Sequence, residues 1–222
     1  MTGQRDQPTR IRRGGGIAPP GGHAFELSGG ELCLDFANTL DARPTDTPRE
    51  LLTDYADLVR WSVQAKIVTP RVARRLKNQA ARSHRKAAGA LRRARELREA
   101  IFDLCSAAAR RVPPQGAAVG VLNRHLPGVL EHLRLARDNS DYRWVWEAAG
   151  EDALDRMLWP VVRSAAELLT SERLDRVRQC SAEDCDWLFL DLSKNRSRRW
   201  CDMTVCGNRS KVRRFRQAQR GS

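Results

Sequence analysis

The spacing of apolar residues changes several times along the chain, and each change marks an element. In FELSGGELCLDFANTL, from Phe25 onward, Leu32, Leu34 and Phe36 alternate with other residues, which predicts a strand or a strand leading into a helix. Thr47, Pro48 and Glu50 supply an N-cap, a first-turn proline and a capping-box glutamate. They stand ahead of Leu51, Leu52, Tyr55, Leu58 and Val59, so a helix is expected to start there. Thr69 and Pro70 repeat the start signal before Val72, Ala73 and Leu76. Over 86–111, Leu97, Ile101, Leu104 and Ala108 recur at the steps of one buried helix face, with Arg92, Arg93, Arg95 and Arg98 expected on a solvated flank.

Pro113, Pro114 and Gly116 break that pattern; a short helix to His125 is then ended by Pro127 and Gly128. The period falls to two around Leu133 and Leu135 and again at Tyr142, Trp144 and Trp146, with Asp138, Asn139, Ser140 and Asp141 between, so a β-hairpin is expected. Leu154, Leu158, Val161, Ala165 and Leu168 mark one more helix, kinked at Pro160. Residues 171–179 read as a hinge into a C-terminal module.

Of six cysteines, Cys33 and Cys105 stand alone in apolar surroundings and read as core residues. Cys180, Cys185, Cys201 and Cys206 form two pairs, each with four intervening residues, separated by fifteen. Four thiolates so spaced suit one structural zinc ion in a closed tetrahedral shell. A disulfide framework is the competing reading, against which stand the absence of a secretory signal and a length of 222 residues. Trp187–Leu190 is expected as a strand, Ser193–Asn195 as a turn and Arg196–Trp200 as a return strand. Asp202 would then cap a helix that presents Cys206, a treble-clef order.

Charge sharpens this picture. The formal net charge is +13; residues 1–24 contribute +3, 71–98 contribute +10 and 193–222 contribute +9, which leaves −9 for the rest. A polyanionic partner is favoured. On the last helix Arg209, Arg213, Arg216 and Arg220 fall within about 60° of one another at 100° per residue, a face suited to phosphates and guanine edges. Arg196, Arg198, Arg199 and Lys211 are expected to anchor phosphates, with Arg214 beside them. The milder reading is that arginines here balance the negative charge of a zinc tetrathiolate. Val212 and Phe215 are expected to pack on the hairpin. Residues 1–24, with six Gly and three Pro, read as a basic arm without stable structure.

The string CGNR from Cys206 to Arg209, preceded by FLDLSKNRSRRWC, resembles the CGNR zinc-finger family. LSGGELCLDFANTL resembles the opening of the ABATE domain that accompanies such fingers. The resemblance covers nearly everything after the arm. It implies zinc on Cys180, Cys185, Cys201 and Cys206, and a role as a stress-induced transcription regulator.

No histidine follows His132, so the nuclease chemistry that some treble clefs host lacks its usual base; no Walker loop or dinucleotide fingerprint occurs either. A non-enzymatic binder is expected. Asp35, Asn38, Thr39 and Arg43, polar residues in an apolar stretch, are the candidate ligand pocket, with backbone bonding as the other reading. The expected fold is α+β. It comprises a basic arm (1–24), a mostly helical N-terminal domain with a small β-hairpin (25–172), which would sense a small ligand if those residues form a pocket, and a C-terminal treble-clef zinc finger (173–222). DNA is the expected partner, with RNA binding or a zinc-stabilised protein-interaction module as alternatives. No membrane span is expected, and the protein is placed in the cytoplasm, on the nucleoid if it binds DNA. The sequence names no effector and fixes no oligomeric state; a homo-oligomer is compatible with it.

Overall fold

The computed structural model describes residues 24–139, 141–147 and 153–220. All but the last residue of the expected arm lies outside them. Seven α-helices, one short 3-10 helix, one π-helical turn and three two-stranded antiparallel ladders are the regular elements of the described residues. No helix among them is long and apolar enough to cross a membrane.

Of the strand or strand leading into a helix expected here, only the helical part is present over the alternating residues, as α1 (Leu32–Ala37). Cys33, Leu34, Phe36 and Ala37 are all buried, so the element is enclosed on most sides and no single-face period survives. Gly29 and Gly30 lead into it. A Cβ on Gly29 would stand 3.0 Å from the Leu34 Cβ and 3.1 Å from the Asp35 nitrogen, while Gly30 has φ +81°.

Strands β1 (Leu40–Asp41) and β2 (Arg49–Glu50) form a short ladder where the capping signal at Thr47 predicted helix. Helix α2 (Tyr55–Gln64) starts later. Its cap is Asp54, whose carboxylate accepts from Asp57 N at 2.8 Å in a reciprocal capping box. Glu50 is drawn away by Arg98, which it meets at 2.6 and 2.8 Å.

Helix α3 (Pro70–Arg82) begins at Thr69 as its cap and proline required. Helix α4 (His84–Arg110) is the central element, burying Leu97, Ile101 and Leu104. Its arginine flank is only partly solvated. Arg98 is 3% exposed between Glu50 and Glu99, Arg95 donates to the Leu52 carbonyl at 2.6 Å, and Arg93 pairs with Asp155 at 2.7 Å. Arg92 and Arg93 are exposed as expected, whereas contacts with β2 and the loop after it bury Arg98 and partly cover Arg95.

Helix α5 (Ala118–His132) runs through Pro127 instead of ending there. The hairpin follows as expected, β3 (Leu133–Asp138) against β4 (Asp141–Trp146), with Leu135 opposite Trp144. Its base packs on the core, where Trp146 and His132 meet Trp159. Helix α6 (Leu158–Leu169) places Pro160 in its first turn, where a missing N–H costs no helical bond, so the expected kink has no cause. Cys33 and Cys105 are fully buried, and burial pushes the Cys33 thiol up to about 12, which suits core packing and not nucleophilic chemistry.

A turn of 3-10 helix (Glu172–Arg176) leads into β5 (Val177–Gln179), which pairs with β6 (Leu188–Leu190). Val177, Leu188 and Leu190 belong to the main hydrophobic core, packed with α4 and α1. The segment expected to be a hinge is therefore a fixed joint. Trp187–Leu190 was expected to pair with 196–200, but its partner is β5; the later segment forms no strand ladder among the described residues.

Candidate metal centre and its basic helix

The β5–β6 ladder holds the first cysteine pair at its open end. Cys180 follows β5, and its N–H donates to the Trp187 carbonyl at 2.8 Å, closing a knuckle around Cys185. Asp202 accepts from Thr204 N and Val205 N at 2.7 and 3.2 Å, capping a five-residue π-helical turn (Met203–Gly207) that presents Cys206. Helix α7 (Asn208–Arg220) continues from that turn. The cap expected at Asp202 is thus present, one turn ahead of the regular helix.

The four Sγ atoms lie within 4.8 Å of one another, and all four residues are buried. Cys201 Sγ stands 3.6 Å from both Cys185 Sγ and Cys206 Sγ. A tetrahedron with 2.3 Å zinc–sulfur bonds has edges of about 3.8 Å, whereas a disulfide needs about 2.05 Å. All six cysteines are free thiols, so the disulfide alternative falls. Hydrogen bonding with Cys185 and Cys201 brings the Cys180 thiol down to about 7, while Cys201, crowded by Cys180 and its other neighbours, is pushed up. One thiolate forms readily and further ones repel it; a divalent soft cation resolves that conflict. The donor set fits zinc.

Trp187, Phe189 and the four cysteines form a separate small core beneath the cluster. Arg198 closes it on one side. Its guanidinium lies 4.3 Å from the centre of the Phe189 ring, its Nε donates to the Trp200 carbonyl at 2.9 Å, and its Nη2 donates to the Cys201 carbonyl. That engagement makes Arg198 part of the fold and not a free phosphate anchor.

The other basic residues separate into two groups. Arg209 meets Asp184 at 3.1 Å and approaches Cys206 Sγ at 3.4 Å, and Arg213 pairs with Glu183. Charge balance by arginine is therefore real for Arg209. Arg196, Lys211, Arg214 and Arg216 are exposed and have no ion pair among the described residues; Arg199 lies 5.5 Å from the Trp200 ring centre. The Arg220 side chain lies outside the described residues. Glu183 and Asp184, inside the knuckle, escaped sequence reasoning; the signal was two acidic residues between ligands of a strongly basic module.

Val212 and Phe215 do not pack on the hairpin. They are 50% and 64% exposed, because every residue of α7 from Lys211 to Gln219 faces solvent.

Asp35, Asn38, Thr39 and Arg43 are each engaged within the fold. Asp35 Oδ1 accepts from Gly29 N at 2.8 Å, and burial pushes its carboxyl up to about 7. Thr39 donates to the Phe36 carbonyl at 2.7 Å. Arg43 pairs with Glu99 at 2.6 Å over the Phe102 ring. Asn38 clasps β6 through both backbone groups of Leu188, donating to its carbonyl and accepting from its N–H, each at 2.8 Å. Gly29 O accepts from Leu190 N at 2.7 Å. The zinc knuckle's outer strand is thereby bonded to the N-terminal domain.

Residues 30–172 match the ABATE family, described as "Putative stress-induced transcription regulator", and residues 176–219 match the CGNR zinc finger. The resemblance read from the two sequence strings is borne out in both halves and in that order. No curated protein matches the chain.

Proposed function

We propose, from the premise that this chain belongs to the ABATE family and ends in a CGNR zinc finger, that it is a transcription regulator binding duplex DNA through α7. The carrying observation is that α7 is anchored at its N-terminus by the turn that carries Cys206 of the four-cysteine cluster, yet exposed around its circumference from Lys211 to Gln219. A helix that buries no face has no packing reason to be there. Thirteen residues span about 20 Å, and a major groove about 12 Å wide admits such a helix.

In this reading one zinc ion occupies the four thiolates and supplies folding energy, fixing the direction in which α7 leaves the body. The order of knuckle, ladder and ligand-bearing helix is read as a treble clef. Arg196, Arg199 and Lys211 anchor phosphates, and Arg216 with Arg209 and Arg213 turns toward the groove. The reading gives the chain no catalytic role, since no histidine follows His132 to activate water beside the metal. It assigns no small-molecule effector to Asp35, Asn38, Thr39 and Arg43, which the fold engages.

The test measures zinc content and salt-dependent binding to random duplex DNA, before and after chelation. About one zinc per chain, a log–log salt slope on the order of four to six and loss of binding on chelation are the expected results. Zinc without metal-dependent duplex binding would sink the reading. The exposure of Val212 and Phe215 favours a second reading, a zinc-held helix that docks on protein; affinity indifferent to salt would select it. Stronger binding to structured RNA in direct competition would move the target from duplex DNA to RNA.

A further inference from the structure

Between the first cysteine knuckle and α7 lies an open cleft of about 190 Å³. It has room for a tetrahedral oxyanion and several waters, since a water molecule's share of the liquid is about 30 Å³. Arg199, Arg213 and Arg214 line it with Trp200, opposed by one carboxylate, Glu183. Ser181 and Gln217 add neutral hydrogen-bonding groups.

Its walls are held in place. The Trp200 indole N–H donates to Ser210 Oγ at 3.2 Å, tying one wall to the first turn of α7. Ser181 N donates to the Arg199 carbonyl at 2.9 Å, tying the knuckle to the same segment. Ser210, Arg213, Arg214 and Gln217 recur at helical spacing, so a single face of α7 looks into the cleft. The convergence of Cys180, Cys185, Cys201 and Cys206 brings the same segments together.

We infer that this cleft is a phosphate site, filled by a backbone phosphate of the nucleic acid that α7 engages, with Glu183 holding the place when no phosphate is bound. The inference deepens the DNA-binding reading and rests on it for the source of the phosphate. Planar guanidiniums offer paired donors that match phosphate oxygens, and three of them converge here beside hydroxyl and amide groups. The Arg214 side chain has no ion pair or hydrogen bond among the described residues, although it lines a cleft that contains a carboxylate. Arg213 is paired with Glu183, whose side chain is 74% exposed, and so exposed a pair is held weakly. A phosphate approaching Arg213 and Arg214 meets one guanidinium already free and one released by a side chain that can swing into water. Arg213 also borders the Arg209–Arg216 face, so the phosphate lies at the flank of the helix and not beneath it.

The experiment uses the zinc-loaded full chain, its zinc content confirmed for each variant. It compares wild type with Glu183→Gln, Arg214→Gln and Arg216→Gln, the last outside the cleft. Two readouts are taken: phosphorus NMR line broadening of inorganic phosphate, and anisotropy of a labelled random duplex across a salt series. Glu183→Gln should tighten duplex binding about three- to tenfold, because it removes the competing charge. Arg214→Gln should weaken duplex binding, lower the salt slope by about one and abolish phosphate broadening. Arg216→Gln should weaken duplex binding while leaving the broadening intact. Wild-type behaviour of both Glu183→Gln and Arg214→Gln in both readouts overturns the site. Broadening that needs Arg214, with duplex affinity unchanged in the cleft variants, overturns the nucleic-acid source and leaves free phosphate as the ligand. If wild type binds no duplex but Arg214-dependent broadening persists, the DNA reading fails and the phosphate site stands.

Discussion

Asn38 shows how much one side chain can carry. It stands in place of a neighbouring strand for β6, satisfying the buried N–H and C=O of Leu188 at once. Asn38→Ala should therefore leave two backbone groups without partners and cost about 2–6 kcal/mol, at about 1–3 kcal/mol for each buried unsatisfied group; urea unfolding checks it. Asp35 is a second case. Burial raises its carboxyl from the usual range to about 7, so the native state holds a proton that the unfolded chain has released. Its contribution is present below about pH 4 and is lost as pH rises through 7. Relative to Asp35→Asn, wild type should lose stability across that window by up to about 1.4 kcal/mol per pH unit, measured by paired melts from pH 4 to 8. A flat difference would contradict the assignment.

Among elements, α4 gathers the most varied work. One face is apolar core, and another supplies Arg98 to Glu50 and Glu99 and Arg95 to the Leu52 carbonyl. Arg98→Ala should destabilise by about 3–5 kcal/mol, because Glu50 and Glu99 lose the cation between them, and thermal unfolding at neutral pH reads this directly. Arg98→Met should be milder, since it preserves packing along the aliphatic stem. The start of α2 teaches the same lesson in another form. Glu50 has the position of a capping residue in the local sequence, but Arg98, distant along the chain, claims it, and Asp54 becomes the cap instead.

At the scale of the molecule, the finger and the N-terminal domain share a core through Val177, Leu188 and Leu190. Metal binding and domain packing are therefore coupled: β5 and β6 end at the knuckle on one side and in the hydrophobic core on the other. Chelation should speed hydrogen exchange over 177–190 as well as over 201–207, and a fragment of 173–222 should bind zinc more weakly than the full chain. Equal zinc affinity in fragment and full chain would show that the joint contributes nothing to the metal site.

The sequence by itself determined the four-cysteine cluster, the long α4, the β3–β4 hairpin, the Asp202 cap and the family of both halves, because each rests on local spacing or a contiguous string. Tertiary structure alone decided that Leu32–Ala37 is helix, that β6 pairs with β5, that Arg98 is buried and that Val212 and Phe215 are exposed. It also decided that Asn38 bonds to Leu188 and Asp35 to Gly29. In most of these cases the deciding partner lies outside the local period or, for α7, is absent among the described residues, and no local period records what another segment covers or leaves open.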